Sequence, residues 1–317
     1  DDAYLSFNDV EAELKKYHLD RSFAPIVEAI ELAVSNLVAD ETTEARLSHL
    51  LGLLRWEGFR TEEGLLTMKK SLLGKIKEYG GDHLVYSKLR EFRWEGDRPA
   101  AVLLEGATLD EVTFGALVVA GNPRTLMPWI EKKRGQQRWK SYVDELPVVA
   151  VKAYQIYRLK EEGVPVGMRE QGLVLPRESE DGQERRGLIR AIRYTLHPVP
   201  QTQEYTLALT AFIRVGGRIP DPKVLDEQIR ARMKDLMPFF EDFWIEPPAL
   251  PWLPNFEDRA SDFREGFVYR AEKNPLFGVV GLDPKTPLRS TYLANEMILP
   301  GLGIDGETIA GLHISDL

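Results

Sequence analysis

At 317 residues, 43% of them hydrophobic, the chain is long enough for two intertwined domains, and no stretch approaches the roughly 18 apolar residues of a membrane span. The formal net charge of −9 argues against binding to a nucleic-acid backbone, which requires a basic face. Because cysteine is absent, disulfides, thiolate catalysis and iron–sulfur clusters on protein thiolates are excluded.

The first sixty residues are predicted to be helical. Cap residues favour helices over 9–17, 23–37 and 42–54. The region contains no Gly-x-Gly-x-x-Gly turn, so a βαβ unit that binds dinucleotide phosphates is missing from it. Arg55 and Glu57 lie close to its end and are weak active-site candidates, with a surface ion pair as the more ordinary explanation.

A strongly patterned segment follows over 64–121. Leu65, Met68, Leu72 and Ile76 repeat at helical spacing, and a Gly-Gly pair at 80–81 closes the helix. Strands are predicted over 83–86, 89–94, 100–104 and 111–114, followed by a buried run over 116–120 that leads to Asn-Pro at 122–123.

The middle of the chain is predicted to form an antiparallel sheet with helices on either side of it in sequence. A first helix is predicted from 122 to about 133, with the charged residues at 131–134 as its solvated end. Strands are predicted over 148–159, 166–175, 188–196 and 205–215, with one buried face. A helix over 221–237 then begins with Pro222 in its first turn.

Aromatic and proline residues are concentrated over 237–254. Their rings could line an apolar substrate tunnel, contact another subunit or fill the core under a long loop. The residues concerned are Phe239, Phe240, Phe243, Trp244 and Trp252.

The last 27 residues carry the most informative motif. A short strand over 290–295 is predicted to break at Pro300 and to restart as a helix over 306–317, with Asp305 as its N-cap. The glycines at 301, 303 and 306 fit the dinucleotide fingerprint, but only 11 residues follow, too few for a complete βαβ unit. The free N–H groups of such a turn can face an electron-rich ligand. The alternative is a glycine turn that packs on a core sheet.

Two of these segments together resemble a known family. They resemble the FAD-dependent oxidoreductases of the phytoene desaturase, retinol saturase and flavin amine oxidase superfamily. The first is the C-terminal segment TPLRSTYLANEMILPGLGIDGETIAGLHIS. The second is the series of helix, Gly-Gly pair, strands and LVVAGNP over 64–123. The resemblance implies a mixed α/β fold in which a partial FAD-binding, Rossmann-like domain is interleaved with a substrate domain. Residues 61–134 and 275–317 would belong to the first domain, and residues 1–60 and 135–274 to the second.

The resemblance also implies residues for FAD. The isoalloxazine and ribityl chain would lie against the C-terminal turn, and Leu89 would take the position of the family's adenine contact, although a core leucine is equally compatible. Glu63 stands where the family usually has a first glycine, and Gly115 stands where it often has an acidic residue. The implied cofactor residues are Gly301, Leu302, Gly303, Asp305, Gly306, Glu307, Leu89, Gly58 and Gly64.

The function implied is that of an FAD-dependent oxidoreductase, or of its larger C-terminal portion, which transfers a hydride between flavin and an apolar substrate such as a polyene or an amine. Because the chain begins with Asp, a lost N-terminal segment or a partner chain that carries it is expected. A cytoplasmic location follows, with peripheral membrane contact left open. The alternative is a non-enzymatic binder of lipids or protein partners, like the GDP-dissociation inhibitors. The five histidines lack metal-ligand spacing, and no catalytic residue is assigned.

Overall fold

The computed structural model describes most of the chain, and every statement below concerns those residues. They are 8–19, 23–34, 37–38, 41–42, 44–45, 47–48, 52, 65–84, 88–96, 98–105, 111–121, 123–129, 134–145, 148–175, 188–215, 220–253, 266–270, 282–295, 297–299 and 302–315.

The chain combines helices with runs of consecutive strands, which is consistent with a mixed α/β fold. The α-helices are α1 (Val10–Lys16), α2 (Ala24–Val34), α3 (Leu65–Glu78), α4 (Arg134–Glu145), α5 (Pro222–Leu236) and α6 (Gly303–Ser315). The strands are β1 (Asn8–Asp9), β2 (Leu37–Val38), β3 (Glu41–Thr42), β4 (Lys88–Glu95), β5 (Arg98–Glu105), β6 (Glu111–Thr113), β7 (Leu117–Val119), β8 (Val148–Lys160), β9 (Gln171–Val174), β10 (Ile189–Pro198), β11 (Glu204–Arg214), β12 (Phe267–Arg270) and β13 (Thr291–Leu293).

The largest sheet has six strands in the order β2-β12-β8-β11-β10-β9. Its pairs are antiparallel except β2 with β12. Strands β8 and β11 pair over their whole length, from Ala150 opposite Arg214 to Lys160 opposite Glu204. In the second half of β8, buried and more exposed residues alternate because successive side chains point to opposite faces.

Helices cover both faces of this sheet. The inner face packs against α5, whose Leu225, Ile229 and Met233 are buried in the main core. Asp221 caps α5 by accepting a hydrogen bond from the backbone N–H of Lys223 at 2.8 Å, which satisfies one of the free donors of its first turn. On the other face, Ala29 and Leu32 of α2 form a second cluster with residues of the sheet.

Three smaller sheets are described besides this one. Strands β1 and β3 form a short antiparallel pair, with Asn8 opposite Thr42. Strands β4, β5 and β6 form an antiparallel meander. Strands β7 and β13 pair in parallel, although about 170 residues separate them in sequence, with Leu117 opposite Thr291 and Val119 opposite Leu293. One core cluster runs from the large sheet through Leu126 and Leu293 to Ala310 of α6, so these parts share a hydrophobic interior. In the described part of the chain, no helix combines the length and apolar character that crossing a membrane requires.

The antiparallel sheet was largely predictable, with local corrections. The predicted strands 148–159, 188–196 and 205–215 correspond to β8, β10 and β11, and α5 begins with Pro222 as expected. The strand predicted over 166–175 is confined to β9, because Gly167 adopts a positive φ of 82° in a preceding turn.

Other predictions over the first half of the chain need revision. Thr42 lies in β3 rather than at the start of a helix, and His83 and Leu84 are irregular rather than extended. The helix predicted from 122 to about 133 is a 3₁₀ turn, Pro123–Trp129, with Pro128 inside it. Arg134 was predicted to lie at the end of a helix, but it begins helix α4, which was not predicted. The run over 116–120 is not buried, since Val118 is 49% exposed.

Candidate functional site

The carboxyl ends of the parallel strands β7 and β13 meet at one edge, where Asn295 joins them. Its side chain is buried, and its Nδ2 donates a hydrogen bond to the carbonyl oxygen of Gly121 at 2.6 Å. Its Oδ1 accepts from the backbone N–H of Met297 at 3.0 Å. Asn295 therefore holds the chain that leaves β13 against the chain that leaves β7. The outer carboxyl edge of parallel strands is where open α/β sheets bind their ligands.

Helix α6 begins at Gly303, eight residues after Asn295, and not at Gly306 as the sequence predicted. Asp305 is consequently in the first turn and is not the N-cap. The backbone N–H groups of residues 303–305 are the ones that lack a partner within the helix. The N-terminus of a helix attracts electron-rich atoms through its first N–H groups. The end of the helix that could bind such atoms is therefore at Gly303, three residues before the predicted position.

Gly306 is needed for packing inside α6. It is buried, and a Cβ at this position would collide with the carbonyl oxygen of Leu299 and lie 3.0 Å from the Cβ of Leu299. The absence of a side chain lets the turn before the helix lie directly on the helix. Leu302 donates its backbone N–H to the Leu299 carbonyl at 3.1 Å and is half-buried. Glu307 is exposed.

Of the remaining predicted cofactor residues, Leu89 is the one that the structure describes. Leu89 lies in β4 opposite Leu104 and is 38% exposed. Its predicted adenine contact stays a prediction. Gly58, Gly64 and Gly301 lie outside the described residues, as do Arg55 and Glu57. His313 is exposed in the last turn of α6, at the end opposite the free N–H groups.

The aromatic segment after α5 packs on the inner face of the large sheet. Phe240 is fully buried, and its ring lies 5.6 Å from that of Tyr157 and 5.7 Å from that of Trp244. Trp252 pairs with Tyr154 of β8, with ring centroids 5.6 Å apart. Of the alternatives left open by the sequence, core filling describes Phe240 and Trp244. Trp252 is not in this cluster, since Tyr154 lies on the face of β8 opposite Tyr157, and Phe239 is 70% exposed.

A buried polar network fixes this segment to α5 and β8. The Nε2 of Gln155 donates to Asp226 at 2.6 Å and to the carbonyl oxygen of Ala249 at 3.0 Å, and the Tyr157 hydroxyl donates to the Oε1 of Gln155 at 2.8 Å. Arg230 lies 2.9 Å from Asp226. Burial, and then the charge of Asp226, raise the pKa of Tyr157 far above its ordinary value. All of these groups have a structural role, because the network connects three elements of the core.

A cavity of about 650 Å³ opens at the far end of the large sheet. It lies between the connections that follow β8 and β10, and the residues that line it include Met168, Leu196, Tyr205, Glu161 and Glu170. None of the predicted cofactor residues lines it. The described residues contain no cluster of three or more acidic or histidine side chains suited to hold a metal ion.

Asn295 was not predicted as a site residue. Its position in the sequence could have indicated it, because it is a polar residue that follows a buried strand and precedes a glycine-rich turn.

Comparison with solved structures identifies the fold. An oxidoreductase from Methanosarcina mazei is 14% identical with a TM-score of 0.63, and the match covers 98% of this chain and 68% of that one. The PF1083 protein from Pyrococcus furiosus is 15% identical with a TM-score of 0.55, over 98% of this chain and 67% of that one. Cyclohexylamine oxidase from Brevibacterium oxydans is 13% identical with a TM-score of 0.46, over 99% and 67%. No family model and no curated protein matches the sequence. At these identities the first two matches establish a shared fold.

Proposed function

We propose that this chain is the larger portion of an FAD-dependent oxidoreductase that transfers a hydride between flavin and an apolar substrate, either a polyene or an amine. The observation that carries the proposal is the position of α6, whose N-terminus follows the carboxyl edge of a parallel strand pair along the chain. This is a ligand-binding position in α/β folds, and it is built from segments that are distant in sequence. The oxidoreductase from Methanosarcina mazei, which shares the fold, is consistent with this class of chemistry.

The donors at the tip of α6 fit a flavin ring better than a phosphate. Gly303 is the first helical residue and has no side chain to keep a flat ring away from the backbone N–H groups. The sequence places two carboxylates, Asp305 and Glu307, in the first turns of this helix. Such charges oppose a phosphate dianion more strongly than a ring carbonyl, which is neutral before reduction and shares at most one negative charge after it. The helix dipole stabilises negative charge that develops on such a carbonyl when the ring is reduced.

When bound, FAD supplies the hydride-accepting ring atom. The chain would contribute binding and orientation, because the N–H groups of 303–305 would hold the ring, while Asn295 fixes the chain that leaves β13 against the chain that leaves β7. Aromatic core residues such as Phe240 keep water out of the adjoining domain. No side chain is assigned as an acid or a base, and hydride transfer requires none at the transferred atom.

The phosphate-binding βαβ segment has to come from elsewhere, since no Gly-x-Gly-x-x-Gly turn occurs before residue 60. We propose that a partner chain, or a segment linked to this chain, carries it. The competing function is that of a lipid- or protein-binding module with the same fold, which would not need flavin. Peripheral contact with a membrane fits either function, because both handle apolar ligands.

The test is a reductive titration of the FAD-loaded protein in the presence of its N-terminal segment. Replacing Gly303 by Pro removes one N–H donor at a position where helices accept proline. Loss of a hydrogen bond to a charged ring costs about 1.5–3 kcal/mol, so the two-electron reduction potential is expected to fall by about 30–60 mV.

The matched control is Gly311→Ala, on the exposed side of the same helix, where an added Cβ has no neighbour within 4 Å. It is expected to leave the potential unchanged. Protein from the native source with no flavin absorbance would favour the binding module instead. A Gly303→Pro variant with an unchanged potential would remove α6 from the flavin site.

A further inference from the structure

One side of the cavity at the end of the large sheet is formed by strands β10 and β11. Leu196 and Pro198 of β10 lie opposite Leu207 and Tyr205 of β11, so their side chains share one face of the sheet. It is the face that carries Tyr157, which lies opposite Leu207. Leu196, Pro198 and Tyr205 line the cavity, and Leu196 is buried. The inner face of the sheet therefore continues into the cavity as a largely apolar surface.

Most of the other lining residues come from the connection between β8 and β9, which is fixed at three places. The backbone N–H of Glu161 donates to the Gln203 carbonyl at 3.0 Å, and the Glu170 carbonyl accepts from a backbone N–H of β10 at 2.6 Å. Between them, Gly163 is buried against Phe243, where an added Cβ would lie 2.6 Å from the Phe243 Cβ. Every residue that lines the cavity belongs to the described part of the chain. The cavity is thus formed by a connection with defined contacts.

The residues that line the cavity carry charge of one sign. Three of the twelve are glutamates, at positions 161, 162 and 170, and none is lysine, arginine or histidine. Lys160 and Arg169 are neighbours in sequence, but both are exposed and neither lines the cavity. Apart from Gln203, the remaining lining residues are apolar or, like Tyr205, aromatic. Negative charge beside apolar surface favours a ligand that is both positively charged and apolar.

The arrangement of the three glutamates does not suit a metal ion. A divalent metal needs several oxygen ligands that converge within about 2.0–2.6 Å of it. In the part of the chain that the structure describes, no three acidic or histidine side chains converge in this way. An organic cation has no such requirement, because its charge lies on a bulky group with apolar surface around it. The volume of about 650 Å³ is within the range of small-molecule sites.

We propose that this cavity binds a protonated organic amine with an apolar body. The glutamates attract the ammonium group, and the body packs against Met168, Leu196 and the ring of Tyr205, which also attracts a cation through its π face. The cavity lies at the Lys160 end of β8, whereas β12 pairs with β8 near Val148. The site is separate from the tip of α6, and the inference does not rest on the proposed flavin chemistry.

The experiment titrates the whole chain, without FAD, with 4-phenylbutylammonium and follows the NMR signals of the Met168 methyl group and of the Leu196 and Tyr205 amides. The matched probes 4-phenylbutan-1-ol and 4-phenylbutanoate keep the apolar body but are neutral and negatively charged. The ammonium is expected to bind about fivefold more tightly than the alcohol, and the carboxylate least tightly. Raising the salt from about 0.02 M to about 0.5 M should weaken binding of the ammonium but not of the alcohol. Met233, which is fully buried in the core, should not shift.

Substitutions separate recognition of charge from general apolar binding. The double variant Glu161→Gln and Glu162→Gln keeps the size of both exposed side chains and should weaken ammonium binding about two- to tenfold, with the alcohol unaffected. The control pair Glu105→Gln and Glu145→Gln removes the same net charge from exposed positions outside the cavity and should leave the affinity unchanged. Tyr205→Leu keeps apolar surface without the ring and should weaken ammonium binding about two- to fivefold.

Several results would overturn the inference. These are equal affinities for the ammonium and the alcohol, no shift of the Met168 methyl signal, or a double glutamine variant that binds as tightly as its control. Broadening of the same signals by Mn²⁺, reversed by the amine, would assign the cavity to an inorganic cation. Binding that tightens steadily from acetyl-lysine-amide to octalysine would assign it to a basic protein segment. Because FAD is absent throughout, each of these results leaves the proposed function untouched, and a failure of flavin binding leaves the amine site untouched.

Discussion

Replacing Asn295 by Ala tests whether this side chain holds the candidate site together. The side chain is only 2% exposed, and it satisfies two backbone groups, the carbonyl of Gly121 and the N–H of Met297. Without it, both groups lose their partner in a place where little water can replace it. Each buried group left unpaired costs about 1–3 kcal/mol, so the free energy of unfolding should fall by about 2–6 kcal/mol. This is a large part of the roughly 5–15 kcal/mol that keeps a domain folded.

The assay is urea denaturation followed by circular dichroism, in which the midpoint should fall while the slope stays constant. Gln203→Ala, in an exposed turn, is the control and should change stability by less than about 0.5 kcal/mol. Native-state hydrogen exchange should show the loss first at the amides of Ala294 and Met297. If Asn295→Ala destabilised the protein no more than the control, the two strand ends would be held by something other than this side chain.

Three further predictions concern packing and pH. Gly306→Ala should lower the free energy of unfolding by about 1–3 kcal/mol, because the new Cβ collides with the Leu299 carbonyl, whereas Gly311→Ala should raise it slightly in the same melting experiment. Thr291→Val should stabilise the protein by about 1 kcal/mol, since the buried hydroxyl of Thr291 has no hydrogen-bond partner among the described residues; a loss of stability would reveal one. Because the pKa of Tyr157 is raised above its ordinary value of 10.0, the unfolded chain releases this proton first, so part of the stability should disappear as the pH rises above about 10. Tyr157→Phe should lack that part of the alkaline decline in denaturation midpoints measured across pH.

The sequence was most informative where a local pattern and the tertiary fold agree. Strands β8, β10 and β11 were predictable because hydrophobic residues and turn residues mark both their faces and their ends. The parallel pairing of β7 with β13 follows the resemblance to the flavoenzyme family, since no local pattern connects segments that far apart.

The predicted start of α6 was wrong because helix propensity and packing disagree in its first turn. Two glycines, Gly303 and Gly306, each cost a helix about 1 kcal/mol relative to alanine, so a sequence-based prediction delays the helix until they are passed. In the structure, the contact between Gly306 and Leu299 requires glycine inside the helix. The exposure of Val118 was not predicted either, because its apolar neighbours indicated a buried run. An apolar pattern favours burial, but it does not identify the residues that would cover the strand.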